Sequence, residues 1–98
     1  MRKNSRIDIT FSQAINLIES KRDIVIIDVK STKEYQKFHL DNSINIPIEN
    51  IKEILPKRIQ HKNQRIVVYC SSGVRSIAAC EIMSSLGYKN IYNIKGGV

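Results

Sequence analysis

Two periodicities alternate along the chain. Short apolar runs read as strands, and between them lie stretches whose apolar residues recur every three or four positions. Ile7-Asp8-Ile9 predicts a short strand. Thr10 with Gln13 forms a capping box, and Phe11, Ala14, Ile15 and Ile18 follow at helical spacing. Ile24 to Val29 is rich in β-branched residues and bounded by charges, the pattern of a buried central strand. Ser31 with Glu34 opens a second helix through Tyr35 and Phe38, which are expected to make core contacts three residues apart. Asp41-Asn42 predicts a turn, and Ile44-Asn45-Ile46 a third strand stopped by Pro47. Ile48, Ile51, Ile54 and Leu55 predict a helix that Pro56 should end. His61 to Gln64 is a polar connector before a fourth strand, Arg65 to Tyr69. After Gly73 a helix is predicted from about Val74 to Leu86, with Ser76, Ala79, Cys80, Met83 and Leu86 inward and Gly87 at its C-terminal end. Ile91 to Ile94 is the fifth strand, ahead of Gly96-Gly97.

Strands separated by helices define an α/β fold. The expected architecture is a five-stranded, mainly parallel sheet with right-handed crossovers and helices on both faces. At 98 residues, with 42% hydrophobic and 26% charged, the composition is that of one globular domain and excludes a disordered chain. The longest aliphatic run, Ile24 to Ile27, is far too short to span a membrane. The basic segment Arg2 to Arg6 has no apolar stretch behind it, so it reads as a loose end rather than a secretion signal, and a cytoplasmic location is expected. With only Cys70, Cys80, His39 and His61 available, no metal-ligand spacing occurs.

The net charge of +7, from 16 basic and 9 acidic residues, favours an anionic substrate or an acidic partner. The cations Arg22, Lys30, Lys37, Lys52, Lys57, Arg58, Lys62 and Lys95 are scattered without interleaved aromatics, so nucleic acid is not the expected ligand.

Candidate chemistry concentrates in Tyr69-Cys70-Ser71-Ser72-Gly73-Val74-Arg75-Ser76. A buried strand ends at Cys70 and a helix begins a few residues later, so backbone N–H groups and the helix dipole converge on the sulfur. Cysteines in such places have depressed pKa values and react as thiolates. Arg75 adds a permanent charge and Gly73 allows a tight curl. Cys80 lies about two turns into the helix, roughly 9–12 Å along its axis, too far to bridge Cys70, and reads as a buried small residue.

Two sets of residues then resemble the rhodanese-like sulfurtransferase family. One is Ile27-Asp28-Val29, Glu34-Tyr35, His39-Leu40 and Ser43-Ile44-Asn45-Ile46-Pro47; the other is Ile66 to Cys70, Gly73, Arg75-Ser76, Gly87-Tyr88, Asn90 to Asn93 and Gly96-Gly97. The resemblance implies a single domain over residues 1–98, shorter at its C-terminal end than relatives that continue with a tryptophan and a short helix. It implies sulfur transfer through a Cys70 persulfide, with Ser71, Ser72, Gly73, Val74, Arg75 and Ser76 forming the sulfur-binding loop. Neither cofactor nor metal is called for. The partners implied are a small anionic sulfur donor and, as acceptor, a thiol, cyanide or a partner-protein cysteine. Asp28 is expected as a structural hydrogen-bond acceptor, and Lys30 and His39 as rim or support.

Cys70 to Arg75 is one residue shorter than the loop of cysteine phosphatases and arsenate reductases of this fold, which argues for sulfur over a tetrahedral oxyanion. Lys30 stands where the family has arginine, Phe38 replaces a glycine, Asn42-Ser43 replaces Gly-Ala, and Ser71 and Ser72 are neutral where thiosulfate enzymes carry cations. A non-enzymatic sulfur-relay or docking module, and a small cysteine phosphatase or arsenate reductase, are the alternatives.

Overall fold

The computed structural model describes residues 4–20 and 23–98. In chain order it runs β1 (Arg6–Ile9), α1 (Phe11–Glu19), β2 (Ile24–Asp28), α2 (Thr32–Lys37), β3 (Ser43–Asn45), a 3-10 turn (Ile48–Asn50), α3 (Ile51–Arg58), β4 (Arg65–Tyr69), α4 (Val74–Ser85) and β5 (Asn90–Ile94). The strands form one sheet in the order β1-β5-β4-β2-β3, and every pairing is parallel.

Both capping boxes form. Thr10 and Ser31 accept the N–H groups of Gln13 and Glu34, whose side chains reach back to the cap N–H groups. β4 is central because nothing after Arg65 in Ile66-Val67-Val68-Tyr69 needs water, and all four are fully buried. Its alternation divides the core. Ile66, Val68 and Cys70 face α3 and α4 with Ile27, Ile51, Leu55, Cys80 and Met83. Val67 and Tyr69 face α1 with Ala14, Ile26 and Ile94. The chain leaves β2 for β3 on one side and leaves β4 for β5 on the other. The carboxyl ends of β2 and β4 therefore flank a topological switch point, the place where open α/β sheets bind ligands.

Three expectations are corrected. Pro56 lies inside α3, which continues to Arg58 with Ile59 N–H bonded to Leu55 O at 2.8 Å. The proline removes only the bond to the carbonyl of Lys52, an exposed residue that water can serve. Phe38 is 54% exposed rather than core, because α2 ends at Lys37 and the chain turns extended at Phe38. Tyr35 is half-buried and anchors instead through its hydroxyl, which donates to Ser43 O at 2.6 Å. Of the supposedly loose Arg2–Arg6 segment, residues 2 and 3 lie outside the described residues, as does Arg22, while Arg6 begins β1 and pairs with Asp8 at 3.0 Å.

Candidate active site

Cys70 follows the last residue of β4, and its sulfur is sealed under the turn that leads into α4. Gly73 N–H donates to Sγ at 3.1 Å and Ser76 N–H at 3.3 Å, while Ser76 Oγ lies 3.5 Å away. Burial pushes the thiol up. The Ser76 hydroxyl and N–H, with the N–H groups of Ser72 and Gly73, pull it down further, and the net pKa is lowered. The groups acting on the sulfur are thus oriented dipoles at a helix N-terminus.

The loop is held from behind by a second backbone segment. Gly73 adopts φ +90° and Gly97 φ +78°, a region glycine enters without strain. A Cβ on Gly97 would fall 2.5 Å from Cys70 O and closer still to the Ser71 carbonyl; one on Gly73 would sit 3.1 Å from Gly96 N. Val98 N–H donates to Cys70 O at 2.8 Å. The Gly96-Gly97 pair is therefore the back wall of the cradle.

Arg75 turns to α2. Its NH1 and NH2 groups donate to Glu34 Oε1 and Oε2 at 2.6 and 2.9 Å, and NH2 also reaches Ser71 Oγ at 2.9 Å. These bonds hold the Glu34 carboxyl well below the usual carboxylate range. The sequence reading gave Glu34 only a capping role. It has two, since Oε1 also accepts Ser31 N–H at 3.0 Å.

Asp28 and Lys30 are buried at the end of β2, where Asp28 pairs with Tyr69, the last residue of β4. Asp28 is fully buried; Oδ1 accepts Lys30 N–H at 2.8 Å, and Oδ2 lies 3.6 Å from Lys30 Nζ. Lys30 is 4% exposed, donates to Phe38 O at 3.0 Å, and lies over the rings of Phe38 and Tyr69. Asn45, to which the sequence assigns no contact of its own, clamps this segment by donating to Asp28 O and Lys30 O at 3.1 and 2.9 Å. Tyr69 Oη accepts Leu40 N–H at 3.0 Å, and burial pushes its phenol up to about 12.

His39 is exposed and stacks on Tyr35 at 3.8 Å; its Nδ1 meets Tyr35 O at 2.7 Å, a packing and capping role. The carbonyl can only accept, so Nδ1 is the donor in this bond. Ser71, Ser72 and Val74 are exposed, and Val74 points outward. Cys80 is buried apart from the cradle, unbonded to Cys70, with its thiol pushed up to about 12 by burial.

A parallel α/β sheet whose central strand ends in a cysteine facing backbone N–H donors at a helix N-terminus is a setting that favours a reactive thiolate. Residues 10–98 match the family described as the rhodanese-like domain, and the chain belongs to it. Among solved structures, an Escherichia coli rhodanese shares 37% identity at TM-score 0.71, over 74% of this chain and 86% of that one. A human single-domain sulfurtransferase at 22% identity and TM-score 0.82 covers 93% and 90% and shares the fold. Among curated proteins, the tRNA uridine(34) hydroxylase of Buchnera aphidicola subsp. Schizaphis graminum is 35% identical over 91 residues, 89% of this chain and 29% of its own length. That of Enterobacter sp. (strain 638) is 32% identical over 88 residues, 86% and 25%. The chain thus spans about a quarter of the length of the curated relatives it matches.

No helix among the described residues is long and apolar enough to cross a membrane.

Proposed function

We propose that this rhodanese-like domain transfers sulfane sulfur through a persulfide on Cys70. The observation that carries the reading is the lowered thiol at the floor of a loop whose N–H groups point at the sulfur. In the first half-reaction the Cys70 thiolate attacks the outer sulfur of a donor. The donor's S–S bond breaks and its electron pair leaves with the first product. In the second, an acceptor thiolate attacks the outer sulfur of the Cys70 persulfide and Cys70 leaves as thiolate, so the cycle is ping-pong and redox-neutral. The residues assigned are Cys70 as carrier and the backbone of Ser71 to Ser76 as cradle. Arg75 with Glu34 fixes the loop against α2, and Asp28 with Lys30 braces the neighbouring end of β2.

The test is intact mass after incubation with a sulfane-sulfur donor. Wild type and Cys80→Ser should gain one sulfur, removed by added thiol, and Cys70→Ser should gain none. Loading of Cys70→Ser, or its loss in Cys80→Ser at unchanged stability, would refute the assignment.

A second reading has its own support. The curated relatives are named for hydroxylation of a tRNA uridine, and this chain corresponds to about a quarter of them. On that reading the domain serves a longer tRNA-modifying protein, and wild type would fail to take up sulfur from any donor while folding normally.

A further inference from the structure

The sheet has two edges, and the chain treats them differently. At the β3 edge, Ser43 O accepts the Tyr35 hydroxyl and Ser43 N–H donates to Leu40 O, so that residue's backbone is occupied from within. The other edge is β1. Lys95 N–H donates to Ile9 O, so Ile7 and Ile9 turn their backbone groups toward β5, and Arg6 and Asp8 turn theirs outward. Arg6 N–H is met by Asn4 Oδ1 at 2.9 Å, but no described residue bonds the N–H or C=O of Asp8 on that side. Strand edges left open in this way pair with other strands unless something blocks them. The side chains here do not block a second copy. Arg6 and Asp8 lie on the α4 face, 3.0 Å apart, where Asp8 also accepts the Asn93 amide. Ile7 lies on the opposite face with Ile9 and is 51% exposed, because α1 crosses over β5 on its way to β2.

Two β1 strands related by a two-fold axis run antiparallel, and their outward residues form the hydrogen-bonded pairs. Three registers bring outward residues of β1 opposite one another. One sets Asp8 against Asp8 and another Arg6 against Arg6, and both oppose like charges. The third sets Arg6 against Asp8 on both sides of the axis and centres the axis on Ile7, so the two exposed isoleucines meet. The charges that repel a mismatched strand therefore select the chain's own copy in one register. α4 borders the same edge. Ser84 Oγ accepts Ser5 N–H at 3.0 Å, and Ile77, two turns back on that flank, is 37% exposed. Joining the edges sets the two α4 helices about two strand spacings apart, roughly 10 Å, within helix-packing distance.

We propose that β1 is a homodimer edge: two copies pair antiparallel about Ile7, Arg6 of each facing Asp8 of the other, and their sheets merge into one. Arg6 exchanges the Asn4 side chain for the backbone of the second copy, and Asp8 gains the partners it lacks. The Cys70 loop, at the carboxyl end of β4 and separated from this edge by β5, stays open in both copies. The inference is independent of the chemistry assigned to Cys70. One short strand and a helix flank make less than a standard interface of about 1,600 Å², so association depends on concentration.

Sedimentation velocity from about 10 μM to about 1 mM should show monomer giving way to dimer in the wild type. Arg6→Glu opposes acid to Asp8, and Asp8→Lys opposes a cation to Arg6. Each variant alone should stay monomeric over that range, with the far-UV circular dichroism of the wild type. Mixed in equal amounts, the two oppose unlike charges at both pairs and should dimerise again. Ile7→Cys tests the register without touching a charge. On a Cys70→Ser background it should give a disulfide-linked dimer under mild oxidation, because a non-hydrogen-bonded pair on the axis holds its Cα atoms about 4.5 Å apart. Asp8→Cys on the same background should not link. A wild type that stays monomeric throughout overturns the proposal. So does a dimer that survives Arg6→Glu, a mixture no more associated than its components, or Asp8→Cys linking as readily as Ile7→Cys.

Discussion

Adding one methyl group at each of three glycines should produce a graded response set by what that methyl meets. Gly96, Gly73 and Gly97 have φ +75°, +90° and +78°, so Ala at each carries similar backbone strain of about 1–2 kcal/mol. At Gly96 a Cβ meets nothing within 4 Å, so strain is the whole effect. At Gly73 it sits 3.1 Å from Gly96 N, a backbone atom that yields only by moving the wall. At Gly97 it overlaps the Ser71 carbonyl and lies 2.5 Å from Cys70 O, so the loop itself must move. Overpacking of this kind adds about 1–3 kcal/mol. Expected losses are therefore about 1–2 kcal/mol for Gly96→Ala and about 2–5 kcal/mol for Gly97→Ala, with Gly73→Ala between. Urea denaturation followed by far-UV circular dichroism measures them, and Cys70 alkylation by iodoacetamide across pH reads the loop. Gly97→Ala should shift the thiol titration upward, because displaced N–H groups no longer reach the sulfur. Gly96→Ala should leave it in place. Equal stability losses at Gly96 and Gly97, or an unshifted thiol in Gly97→Ala, would refute the back-wall argument.

Other outcomes follow from the same geometry. Ser76→Ala removes the hydroxyl beside Sγ, so the alkylation midpoint of Cys70 should move up while the Gly73 N–H bond remains; an unmoved midpoint would mean the hydroxyl serves only Gly73 O. Lys30→Met leaves Asp28 buried without its countercharge and should cost about 3–5 kcal/mol in urea denaturation, whereas a loss under 1 kcal/mol would show the pair contributes little. Glu34 has its folded pKa depressed, so its contribution to stability is full above the unfolded value near 4.3 and fades as pH falls below it. The stability gap between wild type and Glu34→Gln should thus be constant from pH 7 to 5 and close in stronger acid; a gap that closes already between pH 7 and 5 would contradict the ion pair.

The strand and helix succession was legible because each element carries its own local signal. Thr10-Gln13 and Ser31-Glu34 start helices through bonds only three residues long, and the alternation of β4 alone assigns its two faces. Cys70 and its loop were legible for the same reason, being contiguous. What escaped was non-local or doubly used. Glu34 was fully accounted for as a capping residue, so nothing in its neighbourhood announced a partner 41 positions away. For Lys30 the sequence offers a rim or support role and a place among scattered cations, and neither tells that it is buried. Its burial depends on Phe38 O, eight residues on, and on the Tyr69 ring from the neighbouring strand. Phe38 followed helical spacing from Tyr35, but the helix had already ended at Lys37. Pro56 predicts a stop, yet a proline near the last turn of a helix gives up one bond on an exposed carbonyl.

The arrangement around Sγ explains how this site can lower a thiol pKa while its arginine is engaged elsewhere. Ser76 has one hydroxyl proton and two acceptors, Gly73 O at 3.2 Å and the sulfur at 3.5 Å. With Cys70 protonated, S–H donates to Ser76 Oγ and the hydroxyl donates to Gly73 O. With Cys70 ionised, the hydroxyl turns to the sulfur and joins the N–H groups of Gly73 and Ser76. The charge is met by rotating a neutral dipole, at the expense of one backbone acceptor. On the proposed route a persulfide would carry the negative end one bond outward. There the N–H groups of Val74 and Arg75, in the first turn of α4, have no intrahelical partner. On the proposed route the cradle would serve thiolate and persulfide with two different sets of donors, while Arg75, bound to Glu34, clamps the loop that carries both.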